Sequence, residues 1–199
     1  MILVARPRCP GPVAFVFSGG SSLGALQVGM LRAVLDAGIE PDFLVGTSAG
    51  ALNAAFLGKG FSAESVQDLA GIWSELRTND VFPGFGWLSS LRALAGSGVL
   101  ASPSGLARII ERHLPATHAE LAIPTAVIAS DLAPGSAVAF RQGDLRRHVL
   151  ASAAIPGVFP PVAVDGRTFI DGGVSSHVPL LPARDLGAKT MVVLDTGFP

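Results

Sequence analysis

The sequence predicts an α/β domain built on a mostly parallel central sheet. Two features carry that expectation. Hydrophobic residues make up 49% of the 199-residue chain and charged residues only 15%, the balance needed by strands that are buried on both faces and read as continuous apolar runs. Within the first sixty residues, short apolar runs also alternate with helix-like periodic segments, which is the pattern of βα units. One globular domain over residues 13–199, after a short N-terminal segment over 1–12, accounts for the length.

Val13–Phe17 (VAFVF) has the length and the β-branched and aromatic content of a buried strand. The glycine-rich loop SGGSSLG follows over 18–24. Over 25–37 the apolar residues Leu26, Met30, Ala33, Val34 and Ala37 recur at three- and four-residue steps, predicting a helix that Gly38 ends. A second strand is expected over 43–45 after Pro41, then a helix of small residues at Ala49–Leu57 ending at Gly58. A helix over 63–76 gives way to an apolar, glycine-rich segment over 80–105 with the character of an insertion. Beyond it come a helix near 106–113, strands at Thr125–Asp131 and Ala137–Phe140 with a turn at Pro134 and Gly135, and a helix over 145–153. The loop AIPGVFPPV leads to a strand over 168–170, the element DGG, and a last strand over 190–195.

Several classes of function are disfavoured at once. The formal net charge is −1, without a run of lysine or arginine, so the chain lacks the electrostatic footprint of a nucleic-acid binder. The single cysteine, Cys9, cannot form an internal disulfide, and a reducing, cytoplasmic setting is the simpler expectation. Arg6, Pro7, Arg8 and Pro10 interrupt the opening segment before it reaches the apolar core of a secretory signal. No window approaches the roughly 20 apolar residues of a membrane-spanning helix, which leaves a soluble or membrane-peripheral protein. No cluster of Cys and His, and no carboxylate spacing of a cation-binding loop, calls for a metal or other cofactor.

The stretch DFLVGTSAGALNAAF contains GxSxG at the joint of an apolar strand and a helix. In a nucleophile elbow, that joint is a tight turn which lifts the serine clear of the sheet, and glycines two residues to either side permit the close packing. Gly46 and Gly50 occupy those positions around Ser48. The bland alternative is a serine that caps an ordinary helix.

A nucleophilic serine needs a base. The chain has four histidines. His113 and His118 flank a loop, and His148 lies in a helix beside Arg146 and Arg147, so all three read as solvated surface residues. His177 follows Asp171 by six positions and would serve an α/β-hydrolase scheme, but that scheme places several strands before its elbow, whereas here one strand and one loop precede it. Asp171 itself stands in FIDGG at a strand end, where paired glycines, Gly172 and Gly173, let the backbone turn and aim the carboxylate at the rim that carries Ser48. Asp131 ends another strand and reads as a solvated or helix-capping carboxylate. The glycine loop is also readable as a dinucleotide fingerprint, although GGSSLG lacks its middle glycine.

Four segments, in this order, carry a resemblance: SGGSSLGALQVGML, GTSAGALNA, ASAAIPGVFPPV and DGGVSSHVP. Together they resemble the patatin-like lipid acyl hydrolases over nearly the whole chain. The resemblance implies a three-layer α/β/α fold and hydrolysis of lipid carboxylic esters by a serine–aspartate dyad, with Ser48 as nucleophile, Asp171 as base and no histidine, metal or cofactor. It further implies an oxyanion hole of backbone N–H groups from Gly19, Gly20 and Ser21, with Ala49 as a further donor, and supporting roles for Gly24, Gly46, Gly50, Gly172 and Gly173.

The sequence departs from the family pattern in two places. Ser21 stands where a third consecutive glycine is usual, and Leu23 where arginine or lysine is frequent. If residue 21 has a positive φ, serine costs about 1 kcal/mol or more relative to glycine, and a changed oxyanion loop would lower activity or leave a lipid-binding scaffold. At His177 the family often carries asparagine, which suits a supporting contact. The insertion, with Phe82, Phe85, Trp87, Leu88, Leu91 and Leu94, is expected either to pack on the core or to form the wall or lid of an acyl-chain groove that touches a lipid surface. Relatives commonly continue beyond the last strand, so a C-terminally truncated domain with one sheet face left bare is a further expectation.

Overall fold

A computed structural model describes residues 9–81 and 101–197. The aromatic and leucine residues of the insertion lie outside the described residues. In chain order the elements are β1 (Val13–Phe17), a 3-10 turn (Ser21–Leu23), α1 (Gly24–Asp36), β2 (Phe43–Thr47), α2 (Ala49–Leu57), α3 (Ala63–Glu75), α4 (Thr78–Val81), α5 (Ser104–His113) and a second 3-10 turn (His118–Glu120). There follow β3 (Thr125–Asp131), β4 (Ala137–Phe140), α6 (Leu145–Ser152), β5 (Val162–Val164), β6 (Arg167–Asp171), α7 (Gly173–Ser176), α8 (Leu180–Asp185) and β7 (Thr190–Leu194).

The strands form one sheet in the order β5-β6-β3-β2-β1-β7, with β4 also paired to β3. Strands β7, β1, β2 and β3 are parallel. The pairings of β3 with β4, β3 with β6 and β5 with β6 are antiparallel, so the sheet is more mixed than the apolar pattern predicts. The antiparallel part comes from β4, which turns back on β3, from β6, which runs against β3, and from the β5–β6 hairpin. The turn of that hairpin is Asp165-Gly166, with φ of 47° and 76°, the left-handed pair that a two-residue hairpin turn requires.

Alternation along β1 shows how the layers form. Val13, Phe15 and Phe17 enter a large core with Val28 and Leu31 of α1, Ala54 and Leu57 of α2, and Val66 and Leu69 of α3. Ala14 and Val16 point the other way, into a smaller core with Val45, Ile128 and Ala183 of α8. Period-two side chains on a strand buried on both faces thus tie one sheet to helices above and below. No described helix is long and apolar enough to cross a membrane.

Two expectations about surface residues are corrected here. His118 and His148 are 7% and 3% exposed, and His118 Nε2 lies 3.0 Å from His148 Nδ1. The arginines beside His148 mislead because α6 is amphipathic: Leu145, His148, Val149 and Ser152 share its buried side. The His148 ring stacks on Phe140 with centroids 4.0 Å apart, and His118 Nδ1 lies 3.1 Å from the Thr125 carbonyl. Asp131 is likewise buried, at 3% exposure; it is ion-paired with Arg167 of the neighbouring β6 and accepts the Ala133 N–H at 3.0 Å.

Burial holds both imidazoles neutral. It lowers the pKa of His118 and, together with the repulsion that a protonated His118 would exert, pushes His148 down to about 4. The unfolded chain therefore binds more protons than the folded one below the ordinary histidine value of 6.5. The pair's contribution to stability is complete above that pH and is lost as the pH falls towards about 4. Thermal melts between pH 7 and 4 are expected to show Tm falling with acid, and the slope to flatten in a His118→Gln/His148→Gln double variant; an unchanged slope would remove the pair from this role.

Candidate active site

Ser48 sits between β2 and α2 with φ 54° and ψ −121°, a left-handed backbone that a non-glycine residue holds at a cost of about 1–3 kcal/mol. The strand and helix can meet at so sharp a turn only if nothing separates them. A side chain on Gly46 would run into the Gly50 carbonyl, and one on Gly50 into the carbonyls of Phe17 and Ser18. The two glycines of GTSAG are thus demanded by backbone-to-backbone approach.

Register brings the aspartate to the serine. Thr47 of β2 lies opposite Ile128 of β3, and Asp171 of β6 lies opposite Ala129, so the two strand ends arrive at consecutive positions on β3. Ser48 Oγ donates to Asp171 Oδ2 at 2.6 Å, with the two residues 7% and 6% exposed. The other oxygen, Oδ1, accepts the Gly173 N–H at 2.7 Å. Burial pushes the Asp171 carboxyl above the usual aspartate range, opposed by the bonds from Ser48 and Gly173 and by the nearby His177.

The glycine loop faces this pair. Gly20 has φ 146° and packs so closely on Thr196 that no side chain fits, and Ser21 is left-handed at φ 52°. Gly24 meets Ala49 and Trp73. Gly19 departs from its expected role: its N–H donates to the His177 carbonyl at 3.0 Å and is committed to the fold. The N–H groups of Gly20, Ser21 and Ala49 bond to no other described residue. Ring atoms of His177 pack against Gly19 on one side and near Gly173 on the other.

A buried polar chain that the sequence did not flag fixes the loop. Gln27 Nε2 donates to the carbonyls of Ser18 and Leu194, at 3.0 and 2.9 Å. Asn53 Nδ2 donates to Gln27 Oε1 and to the Gly24 carbonyl, at 2.8 and 2.9 Å, and Asn53 Oδ1 accepts from Trp73 Nε1 at 2.8 Å. Both amides are fully satisfied, which makes such a network rigid rather than costly. Ser152 was also missed, although it lies in the segment ASAAIPGVFPPV; its hydroxyl accepts the Ser48 N–H at 2.9 Å.

From Ser48, Ser21 and Ala49 a cavity of about 290 Å³ runs along α2, lined by Leu52, Phe56, Leu69, Trp73, Leu106 and Phe159 among others. Ser48 to Phe56 spans two turns of helix, about 12 Å. Among the described residues, no three His, Cys, Asp or Glu side chains gather as metal ligands.

The model of a family described as patatin-like phospholipase matches residues 15–184. The chain belongs to that family. Relatives include the patatin-like phospholipase domain-containing protein 7 of Rattus norvegicus, 30% identical over 197 residues, which cover 98% of this chain and 14% of that protein. The patatin-like phospholipase domain-containing protein 6 of Homo sapiens is 28% identical over the same shares of each chain. An uncharacterised NTE family protein of Mycobacterium tuberculosis is 28% identical over 92% of this chain and 48% of its own length. The chain therefore spans only a part of each of these relatives. The crystal structure of VipD from Legionella pneumophila superposes with a TM-score of 0.60 over 85% of this chain and 47% of that one at 16% identity, a likeness of fold.

Patatin-like packing at the elbow leads to a matched pair of substitutions. Gly50→Ala would press a methyl onto two carbonyls that cannot move and is expected to destabilise by about 1–3 kcal/mol. At Gly71, on α3, nothing lies within 4 Å of the place a methyl would take, and Gly71→Ala is expected to stabilise by about 0.5–1 kcal/mol. Urea denaturation of both variants checks the contrast; equal effects would mean that the elbow is not so tightly packed.

Proposed function

We propose that this chain hydrolyses lipid carboxylic esters, with Ser48 as nucleophile and Asp171 as its base. Family membership supports lipid acyl hydrolysis in general; the finer reading rests on the 2.6 Å bond from Ser48 Oγ to Asp171 Oδ2 at the head of an apolar cavity. Ser48 Oγ attacks the ester carbonyl as its proton passes to Asp171. The tetrahedral oxyanion is received by backbone N–H groups of Gly20, Ser21 and Ala49, and the α2 N-terminus adds favourable potential. Collapse expels the alcohol, which takes the proton from Asp171, and leaves an acyl-enzyme. Water, deprotonated by the same carboxylate, then attacks the acyl-enzyme, and Asp171 returns that proton to Ser48 Oγ as the acid leaves.

Asp171 must be ionised to act. Its raised pKa makes it a better base than an ordinary aspartate and moves the acid limb of the rate profile upward, so kcat/KM falls with acid from a pH above the ordinary aspartate value. In assays with p-nitrophenyl esters, Ser48→Ala and Asp171→Asn are each expected to lose about 10³-fold or more in kcat while folding normally. Equal turnover in all three proteins would eliminate the dyad, and a folded wild type that binds lipid without turnover would favour the scaffold reading that left-handed Ser21 motivates.

The cavity that starts at Ser48 and runs along α2 supports seating the acyl chain on that side. Leu52, one turn from Ser48, lines that path, and Leu52→Trp is expected to raise KM for long-chain esters about tenfold or more while sparing acetate. Uniform loss across chain lengths would place the acyl chain elsewhere.

A further inference from the structure

We infer that Ser152 is a positioning residue that holds both members of the proposed dyad in register, an assignment that rests on the reading of Ser48 as nucleophile. Ser152 is the last residue of α6 and is fully buried. Its hydroxyl accepts the Ser48 N–H at 2.9 Å and donates to the Ile128 carbonyl at 2.5 Å. Its own carbonyl accepts the Gly172 N–H at 3.1 Å, and two residues on, the Ala154 carbonyl accepts the Asp171 N–H at 2.9 Å. One helix end thus grips the nucleophile through a side chain and the base through two carbonyls, with β3 as the common support.

The grip acts where the backbone is least content. With Ser48 left-handed, its N–H is turned into the protein interior, where Ser152 Oγ is the acceptor. A rotation of the Thr47–Ser48 peptide towards an ordinary φ would carry that N–H away from Ser152 and the Ser48 side chain away from Asp171. Removing the Ser152 hydroxyl leaves the Ser48 N–H and the Ile128 carbonyl buried without that partner, and the same rotation becomes the way to relieve it. The binding cavity does not include Ser152, so loss of the hydroxyl should alter the chemical step rather than substrate affinity.

The full chain is compared with Ser152→Ala and Ser152→Thr by p-nitrophenyl butyrate kinetics, fluorophosphonate labelling, thermal melts and amide hydrogen exchange at Ser48 and Gly172. Ser152→Ala is expected to lower kcat and the labelling rate about 10²-fold with KM within about twofold, and to lose protection at the Ser48 amide. Ser152→Thr, which keeps the oxygen, is expected to recover kcat to within about tenfold of wild type. A folded Ser152→Ala protein with wild-type kcat, or with an unchanged Ser48 amide, overturns the assignment. Should that variant not fold, Ser152→Cys carries the same comparison. If wild type is neither labelled nor active, the nucleophile reading fails, and the Ser48 amide alone decides whether Ser152 sets the elbow.

Discussion

The site depends on one strained residue. Ser48 is held left-handed where a strand and a helix touch backbone to backbone, and every other feature of the site either permits or exploits that turn. A flat joint would leave the hydroxyl in the plane of the sheet, among packed side chains. The sharp one lifts it to the rim, where β6 delivers Asp171 at the next position along β3. The strain of about 1–3 kcal/mol is a sizeable part of a typical domain's net stability of about 5–15 kcal/mol, so it persists only because its surroundings over-determine it. Those surroundings are the Gly46–Gly50 approach, the parallel ladder that fixes β2 against β1 and β3, and the hydrogen bond from the Ser48 N–H to Ser152.

A second constraint couples the glycine loop to the acyl cavity. Gln27 and Asn53 are fully buried amides whose donors hold carbonyls at both ends of the loop, at Ser18 and Gly24. Trp73, which closes this chain through its indole N–H, also lines the cavity. Loop position and cavity shape are therefore set by the same side chains. Buried polar groups of this kind stabilise only while every member is paired, which ties the loop to a single arrangement more firmly than apolar packing would.

Much of this was legible in the sequence because the signals were local. Apolar runs and three-to-four-residue periodicity placed most elements within a few residues, and Ala49–Leu57 falls as the pattern predicts. GxSxG and DGG are each contained in a handful of residues and pointed to Ser48 and Asp171, which the structure places 2.6 Å apart. What was not legible depends on contacts distant in sequence. The commitment of the Gly19 N–H to His177, the burial of His148 against Phe140 and the reach of Ser152 to Ser48 follow from packing that no local pattern encodes. The β5–β6 hairpin is different: Asp165-Gly166 is a local turn signal that went unread, because the proline-rich run before it obscured the short strand Val162–Val164.

Under the proposed mechanism the balance of forces falls on the loop. Burial raises Asp171 above the usual aspartate range, but two hydrogen bonds and His177 pull it back, and even a raised carboxylate remains a weak base for a hydroxyl. Proton acceptance alone cannot then carry the reaction; the negative charge must be stabilised as it forms on the ester oxygen. Gly19 is unavailable for that purpose, Leu23 brings no positive charge, and three N–H groups are left to receive the oxyanion. One of them belongs to Ser21, whose left-handed φ of 52° sets the direction of the next peptide as well as its own. A serine holds that backbone at a cost that a glycine would not incur, so the loop serves catalysis only to the extent that its packing keeps this arrangement and that the tetrahedral intermediate requires it.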